Sequence, residues 1–208
     1  QVWHRLGDQW YFGMFWEGMP DLNYRNPQVT EEMHRVARFW LGEMRADGFR
    51  LDAVRYLLED GTKQTSIPET LDWLRQFQRV YKEFGSDRLA VGEIWTSTAE
   101  VGQYVPTAVD LAFEFDLAQG ILNAISRLTV DAFATALTQS LATFPPGQFA
   151  TFLTNHDQDR VMSQLAGQPD RARLAALILM TVPGVPFIYY GEEIGMTGVK
   201  PDEKLRTP

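Results

Sequence analysis

The chain has 208 residues, 45% hydrophobic and 22% charged, a globular composition with enough apolar content for a sizeable core, which excludes disordered and collagen-like classes. A net charge of −8 argues against nucleic acid or an anionic membrane as partner, and no apolar run approaches a membrane span or a signal-peptide core. The absence of cysteine removes disulfides, thiolate nucleophiles and Cys-ligated metal, and the three histidines lack the His-x3-His spacing of a zinc site.

Residues 1–28 are dense in aromatics, among them Trp3, Trp10, Phe15 and Trp16, and are broken by glycines and Pro20, so they read as loop. Aromatic faces in such a loop either pack on a neighbouring domain or stack on sugar rings. Thr30 and the acidic Glu31-Glu32, followed by Met33, Val36, Ala37, Trp40, Leu41 and Met44, predict a helix over 30–46. After Gly48 the residues 49–53 read as a strand, with Phe49 and Leu51 on one side and Arg50 and Asp52 on the other. Buried charge is costly unless paired or used. The pair is therefore either a structural ion pair or part of a site in which Arg50 favours the ionised form of Asp52.

A second helix is predicted over 69–84, closed by Gly85. The apolar run 88–94 ends on Glu93, and a third run, 109–116, alternates into Phe113, Phe115 and Asp116. Helical spacing covers 117–128 and 131–144, with Asp131 as N-cap of the latter. Pro145-Pro146-Gly147 breaks the pattern, and 149–154 is a fourth strand ending at Asn155-His156-Asp157. A helix over 171–182 and a fifth strand over 185–190, ending at Gly191-Glu192-Glu193, complete the order.

Alternating strands and helices are the grammar of a parallel α/β protein. In a (β/α)8 TIM barrel the reacting groups project from the carboxyl ends of different strands. Doubly wound sheets also bind ligands there, but no Gly-x-Gly-x-x-Gly or phosphate loop is present. The expected fold is thus a (β/α)8 barrel, of which the five strands read here make only a part. Open barrel edges would let such a part self-associate.

Asp52, Glu93 and Asp157 each close a predicted strand, and two carboxylates flanking a glycosidic bond are the minimum for its hydrolysis. The segments that carry them, Gly48-Phe49-Arg50-Leu51-Asp52-Ala53, Gly92-Glu93-Ile94-Trp95 and Phe152-Leu153-Thr154-Asn155-His156-Asp157, resemble three signature segments of the alpha-amylase superfamily, glycoside hydrolase family 13, in the family's order. Met19-Pro20-Asp21-Leu22-Asn23 resembles a further segment, in the form of the group between oligo-1,6-glucosidases and neopullulanases.

The resemblance implies that Asp52 is the nucleophile of a double displacement and Glu93 the acid that protonates the leaving oxygen and then activates water. Asp157 and His156 would hold hydroxyls of the distorted sugar, with Arg50, Trp95 and Asn155 as further substrate contacts. By the same resemblance, 1–28 is the end of the loop domain after barrel strand three, 29–198 the C-terminal part of the barrel, and 199–208 the start of a further loop. The implied substrate is an α-1,4-glucan such as starch or a maltooligosaccharide; an α-glucosidase, cyclomaltodextrinase or glucan transferase would use the same residues, and an inactive binding subunit is the reading from another class. Asp21 is a candidate calcium ligand, with a capping or turn role equally open. The compartment is not fixed by composition, an extracellular location being favoured over a cytoplasmic one. Two departures stand out: Val54-Arg55-Tyr56 replace the Lys-His that follows the nucleophile in many alpha-amylases, and the family's His-bearing first segment is absent.

Overall fold

The computed structural model describes residues 2–201, and the chain divides into two compact units, Gln1–Ala90 and Val91–Pro208. The sequence expectation for residues 202–208 lies outside the described part. Among the described residues no helix is long and apolar enough to cross a membrane.

The first unit opens with a correction. Residues read as loop contain an antiparallel hairpin, β1 (Trp3–Leu6) and β2 (Gln9–Phe12), in the register Trp3↔Phe12 to Leu6↔Gln9. Its strands are four residues each, and Trp3 and Trp10 lie more than half exposed, so no apolar face announces the period of two. An edge-to-face contact between Trp3 and Phe12, with centroids 5.3 Å apart, closes the open end.

Helix α1 (Pro27–Arg38) begins three residues before the predicted start because Asn26 caps it, its side chain accepting from the Gln28 N–H at 3.0 Å, with Pro27 at the first helical position. A wider π turn, Phe39–Glu43, continues it. Helix α2 (Pro68–Lys82) buries Trp73, Leu74, Phe77, Val80 and Tyr81 along one face. Trp73 stacks on Phe77 at 5.3 Å and donates its indole N–H to Thr30 Oγ1 at 2.9 Å, which ties α2 to α1. Strand β3 (Gly48–Leu51) lies against this pair, with Phe49 beside Phe77 at 5.8 Å.

Strand β4 (Leu89–Gly92) runs across the boundary between the units. In the second unit its Val91 and Gly92 pair in parallel with Leu111 and Ala112 of β5 (Leu111–Ala112). Phe113 forms a parallel bridge to Ala150 of β6 (Ala150–Thr151), and β6 pairs in parallel with β7 (Val185–Pro186). Four strands therefore lie side by side in chain order, all parallel, with helices in every connection: α3 (Thr98–Val101), α4 (Phe115–Arg127), α5 (Asp131–Thr143), α6 (Val161–Gln164) and α7 (Pro169–Thr181). The first three of these strands are buried where they pair, as in sheets covered on both faces, and Val91, Leu111 and Ala150 form a common apolar cluster with Phe113 and Phe187.

Regular pairing is shorter than the sequence suggests. The third predicted strand, 109–116, keeps only Leu111–Ala112, and its Phe115 and Asp116 instead open α4. Asp131 is the first residue of α5 rather than its cap, the cap position being Val130. Helices α4 and α5 cross closely at Gly120, where an added Cβ would lie 3.1 Å from Ala136 Cβ and 3.2 Å from the Ala132 carbonyl oxygen.

The tightest backbone approach is in the first unit. A Cβ on Gly48 would fall 2.0 Å from the carbonyl oxygen of Leu89, backbone against backbone, so neither side can yield without moving a strand. Gly48→Ala is expected to destabilise the fold by about 1–3 kcal/mol, the usual cost of overpacking. A denaturant midpoint equal to that of the unsubstituted protein would show that β3 and Leu89 are free to separate.

Candidate active site

In the first unit Asp52 stands one residue past β3, and the chain turns at once. Ala53 adopts a left-handed backbone (φ 45°, ψ 38°) and leads into a single 3-10 turn, Val54–Tyr56. This conformation is unfavourable for a residue with a Cβ and puts a sharp corner directly behind the carboxylate. The Asp52 side chain is 73% exposed and pairs with Arg50, as the spacing of two on one strand face requires. It lines a cleft of about 210 Å³ with Phe15, Met19, Pro20, Asp21 and Tyr56, in which Phe15 meets Tyr56 edge to face at 5.3 Å.

Asp21 shares that cleft, but its geometry is that of a turn. Its Oδ2 accepts the Met14 N–H at 3.1 Å and its own N–H donates to the Phe12 carbonyl at 3.0 Å, stapling the loop after the hairpin. Calcium takes about six to eight oxygen ligands. Among the described residues no group of three or more carboxylate or histidine side chains gathers around Asp21 or elsewhere.

In the second unit Glu93 follows β4 directly and is 8% exposed, between the buried Gly92 and Ile94. Trp95 is half exposed and stacks on Phe115 at 4.7 Å with the rings 11° apart, which fixes the orientation of its ring. After β6 the chain stays buried through Phe152, Leu153 and Thr154 and emerges at Asn155. Asn155 Oδ1 accepts the Asp157 N–H at 2.9 Å, a local turn that sets the Asp157 carboxylate beside its neighbour, with His156 Nε2 3.4 Å from Asp157 Oδ2. Both side chains of the pair are at least half exposed. Asp52 and Glu93 thus follow their strands directly, and Asp157 stands in the loop after β6.

Two further carboxylates received no role from the sequence because their roles depend on partners distant in sequence. Glu192, after β7, accepts the Thr154 hydroxyl at 2.9 Å and the Tyr189 N–H at 3.3 Å; burial pushes its pKa up while these bonds pull it down. Glu114 caps α4 with Oε1, which accepts the Thr98 hydroxyl at 2.8 Å and the Leu117 N–H at 3.3 Å, while its buried Oε2 has no hydrogen-bond partner among the described residues. Asp116 Oδ2 accepts the same Thr98 hydroxyl at 3.0 Å and the Thr98 N–H at 3.0 Å.

A parallel α/β domain with carboxylates at successive strand ends is the class that fold and site define together. The comparisons carry this to a family. The model of the alpha amylase catalytic domain matches residues 1–207. Alpha-amylase 3 of Dictyoglomus thermophilum is 37% identical over all of this chain, which covers 41% of that protein. The 4-alpha-glucanotransferase of Thermotoga neapolitana is 33% identical over 99% of the chain and 44% of its own length. Among solved structures, an alpha-amylase from H. orenii superposes with a TM-score of 0.85 at 37% identity, covering the whole chain and 42% of its own. The chain belongs to the alpha-amylase family, and its parallel strands are part of that family's (β/α)8 barrel. It spans about two-fifths of the length of these relatives.

The Glu114 cluster generates a pH dependence. Burial raises the Glu114 pKa from 4.5 to about 7, against the opposing pull of the Thr98 hydroxyl and with the Asp116 charge adding to the rise. The unfolded chain releases this proton near its ordinary pKa, while the folded protein retains it to about neutrality. The group therefore costs stability as pH rises from about 4.5 through 7, by about 3 kcal/mol once both states are ionised. Glu114→Gln should be most stabilising relative to the parent at pH 8 and progressively less so toward pH 4.5, read as Tm against pH. A Glu114 carboxyl that titrates near 4.5 by carbon-13 NMR would contradict the argument.

Proposed function

We propose that these residues form the nucleophile-bearing and acid-bearing part of a retaining glycoside hydrolase acting on α-1,4-linked glucans such as starch or maltooligosaccharides. The observation that carries the reading is the placement of Asp52 and Glu93 directly after β3 and β4 and of Asp157 in the loop after β6, in a chain that matches the family's catalytic domain. Asp52, exposed at its strand end and paired with Arg50, has the accessibility and charge partner that a carboxylate nucleophile needs. Its carboxylate would attack the anomeric carbon as the bond to the leaving oxygen breaks, and Glu93 would give its proton to that oxygen. In the second step Glu93 would take a proton from water, which then displaces Asp52 and regenerates the enzyme with configuration retained. His156 and Asp157 would bind hydroxyls of the ring undergoing substitution.

A transferase differs only in the acceptor of the second step, a sugar hydroxyl in place of water, and the glucanotransferase relative keeps that reading in view. Product analysis on maltoheptaose separates the two, since a transferase yields chains longer than the substrate. Retention of all three carboxylates argues against an inactive binding subunit.

In the enzyme that carries these residues, Asp52→Asn should lower turnover by several orders of magnitude with the fold intact, because it removes the nucleophile at constant volume. Near-parental turnover would sink the assignment. Glu93→Gln should spare the first step on a glycosyl fluoride far more than on starch, since fluoride leaves with little protonation. Equal losses on both substrates would show that Glu93 is not the acid. The two carboxyl groups should lie about 5–5.5 Å apart in a crystal structure of the enzyme, the retaining separation.

A further inference from the structure

The residues that lead out of β6 have left the strand ladder, yet Phe152, Leu153 and Thr154 are still buried. Backbone and hydroxyl groups in such a stretch must find partners other than a neighbouring strand. The Phe187 N–H donates to the Thr151 carbonyl at 2.7 Å, the last contact of strand type. Beyond it, the Thr154 hydroxyl donates to Glu192 Oε1 at 2.9 Å. Glu192 is held in turn by the segment after β7: its Oε2 accepts the Tyr189 N–H at 3.3 Å and its own N–H donates to the Tyr189 carbonyl at 3.0 Å.

The far end of the same loop is fastened to the same partner segment. The Arg160 N–H donates to the Gly198 carbonyl at 2.9 Å, and the Arg160 guanidinium donates to the Tyr190 carbonyl at 2.6 Å while lying over the rings of Tyr189 and Tyr190 at 4.6 and 4.5 Å. The Gly198 N–H donates to Ser163 Oγ at 2.9 Å, and the Lys200 N–H to Asp159 Oδ1 at 2.6 Å. Between these two clamps sits 155–158, whose own bonds are local: Asp157 N–H to Asn155 Oδ1 and Gln158 N–H to the Asn155 carbonyl at 3.2 Å. His156 and Asp157 therefore inherit their position from the clamps rather than from the strand.

We propose that Glu192 is a positioning residue for the His156–Asp157 pair, acting through the Thr154 hydroxyl one residue before the exposed turn. The effect on turnover rests on the reading above that this pair contacts the sugar; the effect on the position of the loop does not. A carboxylate suits the place because both donors that reach it, a hydroxyl and a backbone N–H, need an acceptor, and Arg160 nearby offsets its charge. Gln keeps one acceptor oxygen, so it preserves part of the clamp. Ala preserves none.

The test uses the enzyme that carries these residues, with Glu192→Ala, Glu192→Gln and Thr154→Val, the last an isosteric removal of the donor at a buried site. Amide hydrogen exchange at 155–158 should quicken at least about tenfold in Glu192→Ala and Thr154→Val, and lie between these and the parent in Glu192→Gln. On maltooligosaccharide, the same order should appear in kcat, with a loss of about 10- to 100-fold for Glu192→Ala and KM little changed, the signature of a misplaced group that acts in the transition state. If Glu192→Ala fails to fold, Thr154→Val and Glu192→Gln carry the test. Unchanged exchange at 155–158 in the folded variants would overturn the proposal. An unsubstituted enzyme without action on any α-glucan would overturn the functional reading, and quickened exchange in the variants would then uphold the positioning role.

Discussion

A carboxylate that is to meet a sugar ring needs a rigid mount beneath it and room above it, and the cost of burying an unpaired charge forces the change from dry strand to wet loop into a very short stretch. At β4 the covered stretch runs past the strand: Ala90 to Ile94 are buried, Glu93 among them, and Trp95 is the first exposed residue. At β3 Leu51 is half-buried, Asp52 is mostly exposed, and the left-handed Ala53 turns the chain before a second residue can follow the strand direction. At β6 the change is delayed by Phe152, Leu153 and Thr154, and the delay creates the need for bonds from outside the strand. Asp52 and Asp157 thus stand past the point where covering ends, whereas Glu93 stands before it.

Much of this was legible in the sequence, for a physical reason. A short apolar run ending on an ionisable residue is a local conflict between burial and charge, and local conflicts mark sites. The pairing of Arg50 with Asp52 follows from the period of two and is seen. The long amphipathic helices were legible as well, since Leu74, Phe77, Val80 and Tyr81 recur at helical spacing and are among the residues α2 buries. What was not legible depends on tertiary partners. The hairpin of β1 and β2 has no buried face to give it a period, and the third strand was read four residues too long at its far end because Phe113, Phe115 and Asp116 alternate like a strand. The structure instead uses Glu114 as the cap that starts α4. Helices α3 and α6, at four residues each, are too short to show a period.

Burial does not by itself say what a carboxylate does; the supply of donors does. Glu114 and Glu192 both stand just past parallel strands, and burial raises the pKa of both. Glu192 has a donor for each oxygen and a guanidinium nearby, so its negative charge serves as an acceptor that joins two loops. Glu114 must share a single Thr98 hydroxyl proton with Asp116 and leaves one oxygen without a donor, which favours the protonated acid at the same kind of position. Asp52 and Asp157 reach solvent and are free of that constraint. Carboxylates that look alike in the sequence, each close behind an apolar run, are therefore sorted by their exposure and by which of their oxygens the fold supplies with a donor. The two that hold the frame are those whose donors come from a neighbouring connection in the sheet.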